Sequence, residues 1–128
     1  MSNILTAFNT HLIDFITDII TIFPEKKGLR VTKTALETWR RVNPRSIILT
    51  WKEGISDKYE KEIMRGNIDF FLEKDYVTDI SGCEDSRYIL SAIERLRDPL
   101  RTMGKENQKK ALKYVQNLTK LSKLYFNK

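Results

Sequence analysis

The chain has 128 residues, of which 41% are hydrophobic and 31% are charged, and its formal net charge at pH 7 is +6. This length suits one domain with its own core, and the small numbers of glycine and proline, five and three, exclude a disordered or fibrous composition. A single cysteine, Cys83, excludes an internal disulfide, so we expect one domain over residues 1–128 that does not require an oxidising compartment.

A first helix is predicted for about residues 4–23. At about 100° per residue, its apolar side chains fall on one side. They are Ile4, Leu5, Phe8, Leu12, Phe15, Ile16, Ile19, Ile22 and Phe23. Asp14 and Asp18 interrupt the segment and Pro24 ends it, short of the about 20 apolar residues of a membrane span. We predict a buried amphipathic helix and no membrane association. Because the N-terminus has neither a basic region nor a cleavage site, we also expect no secretion.

A second helix is predicted from Val31 or Thr32 to Val42, after a break that ends at Gly28. This helix should end at Val42, because a residue that precedes a proline, here Asn43 before Pro44, disfavours helical dihedral angles. Pro44 itself suits the first turn of a third helix.

The third helix is expected to stop near Gly54. Ser56 or Asp57 should cap the fourth, since Asp57 and Glu60 have the spacing of a capping box, and Gly66 should end it.

The remaining segments predict further helices around one loop. A short helix should begin at Asn67, residues 76–84 should form a loop or one short strand, and another helix should run from Asp85 or Ser86 to Leu96. Asp98 should then cap a helix with Pro99 at its first position, and Gly104 should break it. Residues 105–126 are the longest predicted helix. The expected fold is an all-α bundle of about five to seven helices.

Charge is segregated along the sequence. Residues 1–24 carry −2, residues 25–52 carry +6, residues 53–85 carry −6 and residues 86–128 carry +8. Two basic clusters follow from this pattern. A lysine stripe on the last helix has members that fall within about 40° of Lys109 around the helix axis: Lys105, Lys109, Lys113, Lys120 and Lys123. The second cluster, around the second helix, includes Lys26, Lys27, Arg30, Arg40 and Arg41, with Lys33 and Arg45 near them.

These clusters predict non-specific binding of DNA or RNA, because lysines and arginines that neutralise phosphates release counterions. No aromatic residues alternate with the lysines of the stripe, which argues against stacking on single strands. Two alternatives remain open. The stripe is a solvated helix face, or the basic surfaces of one copy meet acidic surfaces of another, as in an adaptor or a self-associating protein.

No arrangement of residues suggests catalysis, a metal or a cofactor. His11 stands alone, and Cys83 has acidic neighbours that would raise the pKa of a thiol. Four loop acids, at positions 75, 79, 84 and 85, lack the spacing of a calcium loop. Trp39 and Trp51 are expected in the core, as are Phe70 and Phe71, although an exposed member of that pair would indicate a protein contact.

A set of apolar and turn positions carries a family resemblance over about residues 4–76. It comprises Phe8, Leu12, Asp14, Phe15, the run Ile22-Phe23-Pro24-Glu25, Asn43-Pro44, Trp51, Tyr59, Ile63 and the run Ile68-Asp69-Phe70-Phe71. In these positions the chain resembles small uncharacterised helical proteins of large nucleocytoplasmic DNA viruses, the giant viruses. The resemblance implies a viral structural or accessory protein, in the virion or in the cytoplasm or nucleus of an infected cell. It supplies no active site, and the lysine stripe lies outside it.

Overall fold

In a computed structural model of the chain, residues 3–66 and 95–127 are described, apart from the side chains of residues 58, 97 and 98. All regular structure in these two ranges is helical, which confirms the predicted all-α fold. The helices are α1 (Asn3–Ile22), α2 (Lys27–Val42), α3 (Pro44–Trp51), α4 (Asp57–Met64), α5 (Arg97–Thr102) and α6 (Lys105–Phe126), and a π-helical turn (Lys52–Ser56) joins α3 to α4. The predictions for residues 67–94, including Phe70, Phe71, Cys83 and the four loop acids, lie outside the described residues.

Helix α1 packs against α2, α3 and α6. Its predicted apolar side is the centre of the core, where Phe8, Leu12 and Ile16 are fully buried and Phe15 and Ile19 nearly so. Each such side chain contributes about 1.5–3 kcal/mol relative to an exposed one. Helices α2, α3 and α6 therefore pack against the apolar side that the amphipathic pattern of α1 predicts.

The predicted start of α2 was too late, because the helix begins at Lys27 and includes Gly28. Two contacts explain this. Leu29 is buried, and the hydroxyl of Thr32 donates a hydrogen bond to the carbonyl oxygen of Gly28 at 2.9 Å. Burial of Leu29 offsets the cost of a glycine in a helix, about 0.5–1 kcal/mol.

The predicted break near Gly54 is wrong, because the chain stays helical through the π-helical turn into α4. Ser56 has φ −61° and ψ −50°, a helical conformation rather than the extended one of a capping residue. Its hydroxyl lies 2.6 Å from that of Ser122, and Asp57 pairs with Lys52 at 2.5 Å instead of capping. Burial of Ile55 against the core overrides the local preference for a break.

Helix α4 ends at Met64, and Gly66 stops it as predicted. Gly66 has φ +86°, a conformation that favours glycine, and its amide donates to the carbonyl oxygen of Ile63 at 3.1 Å. This geometry is typical of a helix C-terminus closed by glycine.

Helix α6 has the predicted bounds, and Gly104 occupies the position before it in an extended conformation. Helix α5 begins at Arg97, two residues before the predicted first position at Pro99. Proline fits there because the amides of a first helical turn need no partner within the helix. The buried side of α6 consists of Ala111, Val115, Leu118, Thr119 and Ser122.

None of the helices in the described ranges is long and apolar enough to span a membrane. Helix α1 contains the most apolar segment, and its two aspartates, Asp14 and Asp18, are exposed.

Candidate nucleic-acid interface

The lysine stripe is largely open to solvent. Lys105, Lys109, Lys113 and Lys120 are exposed, and none of them forms an ion pair with a carboxylate in the parts of the chain that the structure describes. At 1.5 Å per residue these four lysines span about 22 Å of one helix. They are exposed because the opposite side of α6 is buried against α1, α3 and the π-helical turn.

The C-terminal part of the stripe is different, because it lies against α4. The Nζ of Lys123 is 2.6 Å from Oε2 of Glu60, and the amide of Gln116 donates to the carbonyl oxygen of Ile63 at 3.0 Å. Lys123 therefore has a carboxylate partner within the chain, unlike the other four lysines.

The basic residues of the second cluster lie on two different sides of α2. Lys27, Arg30 and Arg41 are exposed and fall within about 60° of one another around the helix axis. Arg40 lies about 100° from Arg41 around the helix axis and donates a hydrogen bond to the hydroxyl of Thr10 in α1 at 3.0 Å. The adjacent arginines 40 and 41 thus serve different surfaces.

Lys26 precedes α2, and its Nζ lies 5.6 Å from the ring centroid of Phe23. A cation at this distance from an aromatic face is attracted to it by about 0.5–1 kcal/mol at an exposed site. Lys26 therefore packs near the end of α1 while its charge stays exposed.

Helix α1 separates the two clusters. Thr10 of α1 meets α2 through Arg40, whereas Asp18 and His11 meet α6 through Tyr114. Helix α1 therefore packs against both helices that carry the basic clusters.

Two further basic residues meet aromatic rings at the C-terminal end of α6. The guanidinium of Arg45 lies 5.7 Å from the ring of Tyr125, and Nζ of Lys52 lies 5.8 Å from that of Phe126. The sequence places Arg45 near the second cluster and does not predict its contact with α6. The contact joins residues 80 positions apart, for which the spacing gives no signal.

A groove of about 420 Å³ lies between α1 and α6, and no pattern in the sequence predicted it. It is lined by His11, Asp14, Asp18, Lys110, Lys113, Tyr114 and Asn117. The three residues from α1 and the four from α6 are about 100 positions apart in sequence, so only the packing of the two helices brings them together.

Two side chains of the groove have shifted pKa values. Burial lowers the pKa of His11 below its ordinary value of 6.5, against the opposing effect of Asp14. Burial, followed by the hydrogen bond to Asp18, raises the pKa of Tyr114 to about 12. His11 and Tyr114 are in ring contact, with centroids 4.6 Å apart. At neutral pH both rings are therefore uncharged.

Within residues 3–66 and 95–127, no group of three or more histidine, cysteine or acidic side chains is arranged to hold a metal ion. The groove has two carboxylates and one imidazole, but they do not form such a group.

Comparison with known proteins found no matching family model, no matching curated protein and no matching solved structure.

Proposed function

We propose that the protein is a non-enzymatic viral structural or accessory protein, associated with the virion, that binds nucleic acid without sequence preference through its basic helical faces. The observation that carries this proposal is the row of four exposed lysines without carboxylate partners, Lys105, Lys109, Lys113 and Lys120, on one side of α6. Lysines that contact phosphates release condensed counterions, which gives affinity that depends on salt and not on sequence.

The composition of α6 supports this proposal over a simple solvated face. The helix has six lysines and one acidic residue, Glu106. Solvated helices are usually stabilised by glutamate and lysine four residues apart, whereas like charges at this spacing destabilise by about 0.2–0.5 kcal/mol per pair. Lys109 has a lysine four residues before it and another four residues after it. A polyanionic partner would neutralise the like charges of these three lysines.

The absence of a catalytic role is part of the proposal. In the described ranges, the single histidine, His11, packs against Tyr114 and is not paired with a nucleophile. The viral origin is supported by the resemblance over residues 4–76, and it would place the protein in the virion or in the cytoplasm or nucleus of an infected cell.

A second candidate is a protein-protein adaptor or a self-associating virion component. It is favoured by an apolar row on α2, in which Val31 is 60% exposed and Val42 is 68% exposed, with Ala35 on the same side. Apolar side chains exposed on one side of a helix are suited to contact with another protein. Sedimentation of the wild type and of Val31→Ser combined with Val42→Ser would test it, because this candidate predicts that only the wild type self-associates.

The primary experiment is binding of a labelled DNA duplex, followed by fluorescence anisotropy at low salt. Reversing three charges together, Lys109→Glu, Lys113→Glu and Lys120→Glu, should weaken binding at least about a hundredfold, because each reversal removes one phosphate contact and adds repulsion. Lys61→Glu, at an exposed site on α4 outside both clusters, is the control for a single reversal and should have a much smaller effect than Lys109→Glu. Unchanged binding by the triple variant would refute the role of the stripe.

A further inference from the structure

We propose that the groove between α1 and α6 holds one unpaired nucleotide of the bound nucleic acid. The phosphate of this nucleotide contacts Lys110 and Lys113, and an exocyclic amino group of its base donates to Asp14. This inference rests on the proposed function, because Lys113 belongs both to the lysine stripe and to the groove.

The two walls of the groove carry opposite charges that do not neutralise each other. Asp14 and Asp18 stand on the α1 wall, and Lys110 and Lys113 stand on the α6 wall. Neither lysine forms an ion pair with either aspartate, although all four side chains are among the described residues. Asp18 accepts a hydrogen bond from the Tyr114 hydroxyl at 2.5 Å, whereas Asp14 is exposed and accepts none from the described side chains. The groove thus offers a free carboxylate on one side and free ammonium groups on the other.

A nucleotide has the complementary chemistry. Its phosphate is an anion. The exocyclic amino groups of adenine and cytosine donate hydrogen bonds, and carboxylates and amides accept them in protein–nucleic acid complexes. Asn117 adds an amide, which both donates and accepts, as a base edge requires. The rings of His11 and Tyr114 also line the groove and give it an apolar aromatic surface against which a base can pack, while Phe15 stacks on Tyr114 with ring centroids 5.0 Å apart.

The charge state of the rings supports this assignment. His11 is neutral at neutral pH because burial lowers its pKa, so it adds no charge between the walls. The groove of about 420 Å³ is within the range of about 300–1,000 Å³ of small-molecule sites, which suits a single nucleotide and not a base-paired duplex.

A nucleotide site in the groove predicts a preference for unpaired ends or bulges of the nucleic acid. This preference adds to binding of the phosphate backbone, which does not depend on sequence. A base without an exocyclic amino group, such as thymine, cannot donate an amino group to Asp14. We therefore expect an overhanging adenosine or cytidine to be favoured over an overhanging thymidine.

The experiment compares three labelled duplexes by fluorescence anisotropy: blunt, with one overhanging deoxyadenosine, and with one overhanging thymidine. The adenosine overhang should bind about five- to tenfold more tightly than the thymidine overhang, as expected for one specific base contact. The thymidine duplex controls for the additional phosphate.

Asp14→Ala should abolish the preference for adenosine. Removing an acid strengthens binding to every polyanion, so the readout is the ratio of the two affinities and not either affinity alone. The matched control is Glu37→Ala, which removes an exposed acid from α2 and should leave the ratio unchanged.

The outcomes are distinguishable. Equal affinities for the two overhangs, or a preference that persists in Asp14→Ala, overturn the nucleotide site but leave the proposed function intact if the blunt duplex still binds in a salt-dependent way. Failure of all three duplexes to bind overturns both.

Discussion

At the scale of one residue, the buried side chain of Trp51 has one specific hydrogen-bond partner in the described core. Its indole Nε1 donates to Oγ1 of Thr119 at 3.2 Å, and that hydroxyl donates to the carbonyl oxygen of Val115 at 2.8 Å. All of these groups are buried, so each needs its partner. The sequence predicted that Trp51 is buried, but not its partner, because 68 positions separate the two residues.

Thr119→Val should destabilise the protein by about 1–3 kcal/mol, because it leaves the buried indole N–H without an acceptor while keeping the side-chain volume nearly unchanged. Urea unfolding followed by tryptophan fluorescence measures the free energy of unfolding. Thr38→Val is the control, since Thr38 is exposed and bonds only within α2 at 2.9 Å, and its effect should be within about 0.5 kcal/mol. Equal effects of the two substitutions would contradict the role assigned to Thr119.

His11 predicts a dependence of stability on pH. Because burial lowers the pKa of His11 in the folded chain, protonation is less favourable there than in the unfolded chain. The contribution of His11 should be constant well above its ordinary pKa of 6.5 and should destabilise the fold progressively as the pH falls below that value. It levels off once the folded histidine is also protonated.

The measurement is urea unfolding of the wild type and of His11→Phe at about pH 7.5 and about pH 5.5. Phenylalanine keeps a ring against Tyr114 without a titrating group. On acidification, the stability of the wild type should fall relative to that of the variant. A difference between the two proteins that does not change with pH would refute this account of His11.

At the scale of elements, the sequence predicted best the helices whose boundaries are marked by local signals. Helix α1 has a regular apolar period and Pro24 just beyond its end, and α6 begins after Gly104. The segment from Gly54 to Asp57 was mispredicted because glycine and a capping pattern suggest a break, whereas burial of Ile55 and the contact of Ser56 with Ser122 hold a continuous helix. Those contacts depend on α6, which no local pattern of that segment specifies.

The same substitution at two glycines, Gly66 after α4 and Gly28 within α2, tests the backbone conformation assigned to each. Gly66→Ala should destabilise the protein by about 1 kcal/mol, because alanine is strained at φ +86°. Gly28→Ala should stabilise it by up to about 1 kcal/mol, because Gly28 lies within α2 and an added methyl group meets nothing within 4 Å. Thermal unfolding measures both changes, and effects of the same sign would contradict these assignments.

At the scale of the whole molecule, several carboxylates of the acidic segment, residues 53–85, form ion pairs within the chain. In its described part, Asp57 pairs with Lys52, Glu60 with Lys123 and Glu62 with Arg65. Such exposed pairs contribute little stability, but they leave these three carboxylates less available to basic surfaces of another copy. The contacts therefore favour an external polyanion over self-association through these acids.

The candidate surfaces were predictable only in part. The phase of the lysine stripe follows from helical periodicity, whereas the pairing of Lys123 with Glu60 and the groove beside Tyr114 depend on how α6 packs on α4 and α1. Long-range packing of this kind leaves no signal in the spacing of residues along one helix.

The most direct test of phosphate binding by the stripe is the salt dependence of duplex affinity for the wild type and for two variants. Each phosphate contact contributes about 0.9 to the slope of log affinity against log salt concentration. The triple variant Lys109→Gln, Lys113→Gln, Lys120→Gln should therefore have a slope shallower by about 2.7, whereas Lys123→Gln should change it little because Glu60 already pairs with this lysine. A triple variant with the slope of the wild type, or affinity that does not depend on salt, would contradict the account.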